Sequence, residues 1–592
     1  EIYTLSLHDA LPILAYMTTG KAVTTTAIGC VFDEYFGAGY GGLSYSRIKY
    51  NDDRSYNFDS TPYQSERGKY YTGTGANTSY AKKGPGVATD FDYEFFVWSS
   101  GETGSRKYVK FASFSLAQCN DVSSNLTNCT INQSFYGGGS LGKVTGKATS
   151  VLDGCTVHGN VFGGGFSANV PKVPVRDKGT GLSVKPSYNS NTGMFEPGEF
   201  SGTTNYEWKH VDNLPADGGA GFVTEEGKNY VVTNADLTTL GQVKETDLTV
   251  KNNCSIGGAV YGGGDESSVN EHTLVKIQNE GGSNTIPNVY GGGNTADVDG
   301  NTEVHMMNGT VSNDIYGGGR GETTKVGGDV TVNIGGKTGE APSISYSGTG
   351  LVEGDVYGGS ALGAVNTTDG KTTTVNVYGG TVNGSVFGGG LGQVEVAADP
   401  EHSIVAKSAI VAENQGETTV NVEGGLVKTA VYGGSNVNGV LKKNTTVTLI
   451  GGTVGDSEDQ DKDVVFGGGK GAPTLVNGNV TVNVGTEGQE SGGVTIHGHV
   501  YGGGALGSVN ASKSGNDPME FYNEDENWET KVNLYKGTIN GYAYGGGLGS
   551  AETAAYVGGD VIVTLDGAKV QQIFGANNLN GTPKGHVKVW VK

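Results

Sequence analysis

Apolar and polar residues alternate in short segments that glycine residues separate. The clearest unit is TVNVYGGTVNGSVFGGG at residues 374–390. Val375 and Val377 alternate with polar residues, which is typical of a β-strand with one buried face. A pair of glycines follows, Val382 begins a second short strand, and Val386–Phe387 enters a run of three glycines. The pattern predicts a few short strands joined by glycine turns, and it shows no helical period.

The same phrase recurs along the chain, with a β-branched or small residue before an aromatic residue and glycines after it. The spacing between copies varies from 26 to 99 residues, so the strands are constant while the loops between them change in length. Recurrence of this kind predicts one supersecondary unit that is stacked many times. The twelve aromatic positions are Tyr136, Phe162, Tyr261, Tyr290, Tyr316, Tyr357, Phe387, Tyr432, Phe466, Tyr501, Tyr544 and Phe574.

A unit of this size cannot bury its own apolar face, whereas stacked neighbours bury it together. We therefore predict an all-β fold, a right-handed parallel β-solenoid of about twelve glycine-rich repeats with insertions at its corners. Rungs of such a stack lie about 4.8 Å apart. A β-propeller is the competing architecture, but its blades need about 40–45 residues and number four to eight. Units of 26 residues do not fit such a blade.

Two regions interrupt the repeats, and the first residues match nothing that follows. Residues 1–13 resemble a translated sequencing-adapter read and are left out of the fold prediction. Residues 14–120 are predicted to form an N-terminal capping or insertion region, with one degenerate copy of the repeat at residues 31–42. The solenoid is predicted over residues 121–592, with a long insertion at 166–248.

Composition and charge exclude several classes of protein. Glycine makes up 104 of 592 residues without the three-residue period of collagen, and proline only 14. The net charge of −22 argues against nucleic acid or an anionic membrane surface as a partner. No apolar run is long enough for a transmembrane helix. Five cysteines are too few for a disulfide framework. Three of them, Cys129, Cys155 and Cys254, share one repeat position, which favours a small buried side chain there.

The sequence contains no recognisable catalytic constellation. The glycine runs lack the Lys-Ser/Thr pair of a phosphate-binding loop, and the calcium-binding nonapeptide spacing is absent, so no metal or cofactor is predicted. His497 and His499 are spaced to share one strand face, but we expect the His497 position to be a polar solvent-facing one. Carboxylates near predicted corners form no prominent pair; they are Asp265, Glu266, Asp297, Asp299, Asp314 and Asp355.

The recurring tyrosines are the candidate ligand-binding residues, and two interpretations stay open for them. If they face water, they form a strip on which sugar rings could stack. If they pack inside or seal a corner, phenylalanine can replace them freely, as it does at four of the twelve positions. The candidates are Tyr261, Tyr290, Tyr316, Tyr357, Tyr432, Tyr501 and Tyr544.

The repeat, TVxVxGGTVxGxVYGGG, resembles those of large secreted or cell-surface β-solenoid proteins of bacteria, especially gut Bacteroidales, often described as adhesin-like. The resemblance covers roughly residues 120–585. It implies a non-enzymatic structural and adhesive rod that is exported, belongs to a longer anchored polypeptide, and presents loops to glycans or neighbouring cells. The alternative is a polysaccharide-active β-helix enzyme, a lyase or a glycosidase, which could share the fold.

Overall fold

The computed structural model describes residues 21–40, 118–167, 241–279, 285–339, 344–398, 405–458, 462–489, 492–512 and 527–592. Within 41–117 and 168–240 it describes only individual strands. The described residues form strands and turns, and no helix occurs among them. The large sheets are parallel throughout, so the predicted parallel β-solenoid is confirmed.

The first face of the solenoid, sheet 1, holds the long alternating strands. Residues at equal repeat positions pair in parallel, as Val375 does with Val420. The side chains alternate between the core and solvent because successive residues of a strand point to opposite faces. The strands, in stacking order, are Val23–Ile28, Val122–Thr127, Lys143–Asp153, Val243–Lys251, Thr273–Gln278, Thr302–Asn308, Val330–Ile334, Thr372–Val377, Glu417–Val422, Thr445–Leu449, Val480–Val484, Glu529–Leu534, Asp560–Leu565 and Val587–Val591; Gln118–Cys119 also pairs with Lys143–Asp153.

The second face, sheet 2, usually receives two short strands from each rung, and the second carries the aromatic residue. The strands are Tyr35–Phe36, Phe135–Tyr136, Val161–Phe162, Ala259–Tyr261, Thr285–Ile286, Asn288–Tyr290, Thr310–Val311, Ile315–Tyr316, Leu351–Val352, Val356–Tyr357, Thr381–Val382, Val386–Phe387, Leu426–Val427, Val431–Tyr432, Thr453–Val454, Asp463–Phe466, Val494–Ile496, His499–Tyr501, Gly537–Tyr544 and Lys569–Phe574. Four further strands continue the first of these rows towards residue 31, namely Val31–Phe32, Thr130–Ile131, Thr156–Val157 and Ser255–Ile256.

The third face, sheet 3, follows the glycine run and closes the rung. Its strands are Lys325–Val326, Ala364–Val365, Ala412–Asn414, Gly439–Leu441, Leu475–Val476 and Ser508–Val509. In other rungs a single residue forms a bridge at this position, as Val269 does with Val298. Each rung thus passes through sheets 1, 2 and 3 in turn and returns to sheet 1 one level further on.

Valine and isoleucine side chains from the faces fill the interior of the stack. Val375 and Val377 from sheet 1 meet Val382 and Val386 from sheet 2, and all four are fully buried. The same positions are apolar in the rungs above and below, so the core is a continuous column. This column supplies the burial that a single rung lacks.

The glycine runs are required because the space between neighbouring rungs is too small for a side chain. None of the described glycines that follow the aromatic residues has a positive φ. A Cβ atom at Gly388 would lie against the carbonyl oxygen of Gly433 in the next rung and 2.6 Å from Thr418 Cγ2. The same collision with the neighbouring glycine carbonyl recurs in most other rungs. Glycine here allows close backbone approach, and left-handed backbone geometry plays no part.

The stack includes residues that precede position 121. Val23–Ile28 pairs in register with Val122–Thr127, and Tyr35–Phe36 pairs with Phe135–Tyr136. Part of the region 14–120 therefore forms a complete rung at one end of the solenoid. The aromatic position of this rung is Phe36, which makes thirteen aromatic positions in all.

Strands in the two interruptions pair only in antiparallel fashion. They are Ile48–Tyr50 with Tyr56–Phe58, Tyr93–Ser99 with Lys107–Ser113, Ser187–Asn189 with Met194–Glu196, and Tyr206–Val211 and Phe222–Glu225 with Lys228–Asn234. A smaller antiparallel pair, Gly336–Thr338 with Ser345–Ser347, leaves the stack after sheet 1. Antiparallel pairing separates these segments from the solenoid rungs.

Polar side chains on the outer face of sheet 1 bond from rung to rung. Asn376 Nδ2 donates to Asn333 Oδ1 at 2.8 Å, and Asn421 Nδ2 donates to Asn376 Oδ1 at 2.9 Å. Nearer the first rung the same face carries ion pairs, such as Lys276 with Asp247 at 3.0 Å. These rows satisfy polar groups on a half-buried surface and hold neighbouring rungs in register.

Candidate functional site

The aromatic residues form one continuous stacked column along the solenoid. Each ring lies parallel to the next, with centroids 4.7–5.0 Å apart and planes within 4–11°. The spacing matches the rung separation because each ring sits at the same position of its rung. Thirteen rings, from Phe36 to Phe574, take part in the column.

The column lies outside the valine core, in a second buried layer. Val386 points into the core and its neighbour Phe387 points to the opposite side of sheet 2. The chain then turns sharply through the glycine run, so residues such as Leu391 and Ala361 cover the rings from the other wall of the corner. The aromatic column therefore seals a corner, which is one of the two placements that the packing interpretation allowed.

All seven candidate tyrosines lie in this column, and all are between 0 and 8% exposed; they are Tyr261, Tyr290, Tyr316, Tyr357, Tyr432, Tyr501 and Tyr544. Both faces of each ring are in contact with the rings above and below it. Sugar recognition by aromatic residues needs a free ring face, and the column offers none along these positions. The geometry favours packing over sugar stacking as the role of the seven tyrosines.

Tyrosine hydroxyl groups at the edge of the column bond to polar residues of the corner. Tyr316 donates to Asp314 Oδ2 at 3.0 Å, and Tyr357 donates to Asp355 Oδ2 at 2.9 Å. Asn436 Nδ2 donates to the Tyr357 hydroxyl at 2.9 Å. Burial raises the pKa of Tyr316 and of Tyr357 above the ordinary range.

The corner carboxylates accept backbone hydrogen bonds from the next rung. Asp314 Oδ1 accepts from the Asp355 amide at 2.8 Å, and Asp355 Oδ1 accepts from the Ser385 amide at 2.7 Å. Asp297 Oδ1 likewise accepts from the Lys325 amide at 2.8 Å. Burial raises the pKa of Asp314 and of Asp297. These contacts give Asp297, Asp314 and Asp355 a structural role in the stack.

The two histidines of the His-Gly-His segment bond to the following rung. His499 is buried, stacks on Tyr542 and accepts a hydrogen bond from the Tyr542 amide at Nδ1. His497 Nδ1 lies 3.0 Å from Asn540 Nδ2. Among the residues that the structure describes, no three His, Cys, Asp or Glu side chains are grouped in a way that could hold a metal ion.

The long insertions leave the stack within a five-residue segment that follows the glycine run. We call it the corner segment; it comprises residues 265–269, 294–298 and 361–365 in three of the rungs. Bridges fix its two ends, because Asp265 pairs with Asn294 and Val269 pairs with Val298. In the rung of Phe162 the matching positions are Phe166, Ser167, Gly241, Gln242 and Val243, since Phe166 pairs with Asp265 and Val243 pairs with Val269. Residues 168–240 are therefore inserted inside one corner segment.

The other large departures use the same segment. In the first rung Tyr40 pairs with Ser140 and Cys119 pairs with Val144, so residues 41–117 also leave between the ends of a corner segment. In the rung of Phe387 a hairpin closed by Gln393 and Ile410 leaves after Leu391. The sequence showed that insertions exist, but the shared exit was hidden because the corner segment has no fixed residue type. Only pairing of its ends reveals it.

Comparison of the chain with protein-family models, curated proteins and solved structures gives no match. The described part of the chain has no helix with the length and apolarity needed to cross a lipid bilayer.

Proposed function

We propose that this protein is an extracellular or cell-surface adhesive rod, in which the solenoid is a scaffold and the insertions of the corner segment carry the binding surface. The observation that carries the proposal is the shared exit of the largest insertions from an otherwise unbroken stack. The proposal does not include a binding cleft along the aromatic column, because the stacked rings are buried and fill the corner where such a cleft would lie.

The rung pairing continues across both large insertions, which supports a scaffold role. Val23–Ile28 pairs in parallel with Val122–Thr127 across the first insertion, and Lys143–Asp153 pairs in parallel with Val243–Lys251 across the second. The insertions separate these strands in sequence without separating them in the sheet. A scaffold that tolerates such insertions can vary its binding loops while its core stays constant.

The two insertions leave the rod near each other and have the composition of a recognition surface. Their corner segments are two rungs apart, a separation of about 10 Å. The strand Tyr206–Val211 of the second contacts the strand Tyr93–Ser99 of the first. Both are rich in aromatic residues, with DFDYEFFVW at residues 90–98 and NYEW at 205–208. Aromatic residues are suited to stacking against sugar rings. We therefore propose glycans of a host or neighbouring cell as the ligand.

Excision of the second insertion tests the proposal. Joining Ser167 directly to Gly241 removes residues 168–240 and restores a corner segment of normal length. We expect the full-length chain to bind a subset of a glycan array or of bacterial and epithelial cells, and the excised variant to lose most of that binding. The matched control is a Tyr357→Phe variant of the aromatic column, which should bind like the parent chain.

The outcomes separate the adhesive rod from its alternative. Equal binding by the excised variant, or no binding by the full-length chain to any glycan or cell, would remove the basis for the proposal. Release of new reducing ends or of unsaturated products from a bound polysaccharide would instead support the polysaccharide-active enzyme.

A further inference from the structure

Four of the five cysteines form one column across the first four rungs. Thr130 pairs with Val31 and with Thr156, and Thr156 pairs with Ser255. The residue before each of these is a cysteine, so the column contains Cys30, Cys129, Cys155 and Cys254. The fifth, Cys119, lies in a separate apolar cluster, and its strand pairs with Lys143–Asp153. Cys30 is six residues before the aromatic residue of its rung, whereas the other three cysteines are seven residues before theirs. The difference arises because the first rung is one residue shorter between Val31–Phe32 and Tyr35–Phe36.

Direct contacts join neighbouring members of the column. The Cys129 amide donates to the Cys155 sulfur at 3.4 Å, and the Cys155 amide donates to the Cys254 sulfur at 3.2 Å. The backbone of Cys30 forms a hydrogen bond with the Cys129 thiol. Adjacent rungs are about 4.8 Å apart, which lies within the Cα separation of about 4.4–6.8 Å that a disulfide spans. All four are free thiols in this structure, and the spacing of neighbouring rungs permits a bond within each neighbouring pair.

The order of the four thiols along the chain divides them into two pairs. Cys30 and Cys129 flank the insertion at residues 41–117, and Cys155 and Cys254 flank the insertion at 168–240. Cys129 and Cys155 are joined by an uninterrupted stretch and are only 26 positions apart. Cysteine therefore occurs in this column only in the rungs on either side of a large insertion. A side-chain hydrogen bond from Cys254 lowers the pKa of Cys155.

We propose that Cys30 with Cys129, and Cys155 with Cys254, are sites of disulfide formation that fasten the rungs on either side of each insertion. The oxidant is a small-molecule disulfide such as oxidised glutathione. The exchange takes place during folding, because Cys129, Cys155 and Cys254 are buried once the rungs have stacked. For each pair, one thiolate attacks the oxidant and releases one reduced thiol; the second cysteine then displaces the other. Two cysteine thiols become one disulfide, and one oxidant molecule becomes two thiols that carry the two protons and two electrons.

Such bonds oppose local separation of the rungs. A long insertion costs chain entropy each time its two ends are brought together, and this cost makes the flanking rungs the places where the stack opens most easily. A covalent bond across the opening removes that freedom from the unfolded chain, and its effect grows with the length of the closed loop. Formation of these bonds does not depend on what the insertions bind.

Disulfide mapping of the full-length chain tests the inference. The reduced chain is refolded with reduced and oxidised glutathione, remaining thiols are alkylated, and peptides are identified by mass spectrometry without reduction. We expect two linked peptide pairs, Cys30 with Cys129 and Cys155 with Cys254, and an alkylated Cys119. Five alkylated cysteines in the folded chain, or a Cys129–Cys155 link as the main product, would overturn the proposal.

Limited proteolysis gives a second readout that does not rely on stability. After cleavage within residues 168–240, the two fragments should stay joined on a denaturing gel without reductant and separate when reductant is added. The Cys254→Ala variant should separate without reductant, whereas Cys119→Ala and Cys30→Ala should behave like the parent chain at this cleavage. Fragments of the parent chain that separate without reductant would contradict the Cys155–Cys254 bond.

Discussion

At the scale of single residues, the glycines of the repeat motif and the aromatic residue that precedes them have different structural roles. The glycines remove side-chain volume where one rung touches the next, and the aromatic rings fill the volume outside sheet 2. The sequence indicates the need for glycine but not its cause. Corner glycines often serve left-handed backbone geometry, yet none of the described glycines after the aromatic residues has a positive φ.

Two glycine substitutions separate the contribution of space from that of backbone geometry. Gly388→Ala places a Cβ atom against the Gly433 carbonyl and Thr418 of sheet 1, and neither backbone can move without breaking the ladder. We expect a loss of about 3 kcal/mol in the free energy of unfolding. Gly370 has a φ of +76°, and a Cβ atom added there would meet no atom within 4 Å, so Gly370→Ala should cost only about 1 kcal/mol. Denaturant unfolding measures both, and equal losses would contradict the crowding explanation.

At the scale of elements, the aromatic column acts as a structural unit alongside the sheets. Free exchange of tyrosine and phenylalanine along the sequence already favoured packing, because packing does not need the hydroxyl group. Its burial on the outer side of sheet 2 was not predictable from alternation. Alternation assigns Phe387 to the solvent side of sheet 2, and only the turn of the following glycines brings Leu391 back to cover it.

Substitutions at Tyr357 measure what the column contributes. Tyr357 is 2% exposed and stacks between Tyr316 and Phe387. We expect Tyr357→Ala to lower the free energy of unfolding by about 4 kcal/mol, because it leaves a cavity between two rings. Tyr357→Phe keeps the ring and loses hydrogen bonds with Asp355 and Asn436, so a cost of about 1 kcal/mol is expected. Thermal unfolding with near-ultraviolet circular dichroism reports both; a Phe variant as unstable as the Ala variant would show that the hydroxyl bonds dominate.

The repeat structure was predictable from the sequence to the extent that its residues are constant. Val375, Val382 and Phe387 pair with Val420, Val427 and Tyr432 of the next rung, and this constancy of residue type predicted a parallel stack. The first rung was harder to recognise because its spacing is one residue shorter. The corner segment was not visible because its positions hold Asp265, Phe166 or Leu391 without a shared chemistry. A feature that depends on backbone pairing alone produces no residue pattern, so it cannot be predicted from the sequence.

At the scale of the whole molecule, the solenoid is a regular stack of rungs, and its two longest insertions leave it from the same corner segment. The core valines, the aromatic column and the outer polar rows each run from rung to rung, so stability comes from contacts between neighbours. Such an arrangement tolerates an insertion wherever the ends of a rung segment stay paired. The adhesive function that we propose rests on this separation between a constant stack and its insertions.

Amide hydrogen exchange on the variant that joins Ser167 to Gly241 tests this separation most directly. Protection in Lys143–Asp153, Val243–Lys251 and Thr273–Gln278 reports whether the stack passes through the site of the insertion. We predict that protection in these three strands is the same in the variant and in the full-length chain. Loss of protection in Lys143–Asp153 and Val243–Lys251 on removal of residues 168–240 would show that the insertion is part of the fold, and it would contradict the scaffold role of the solenoid.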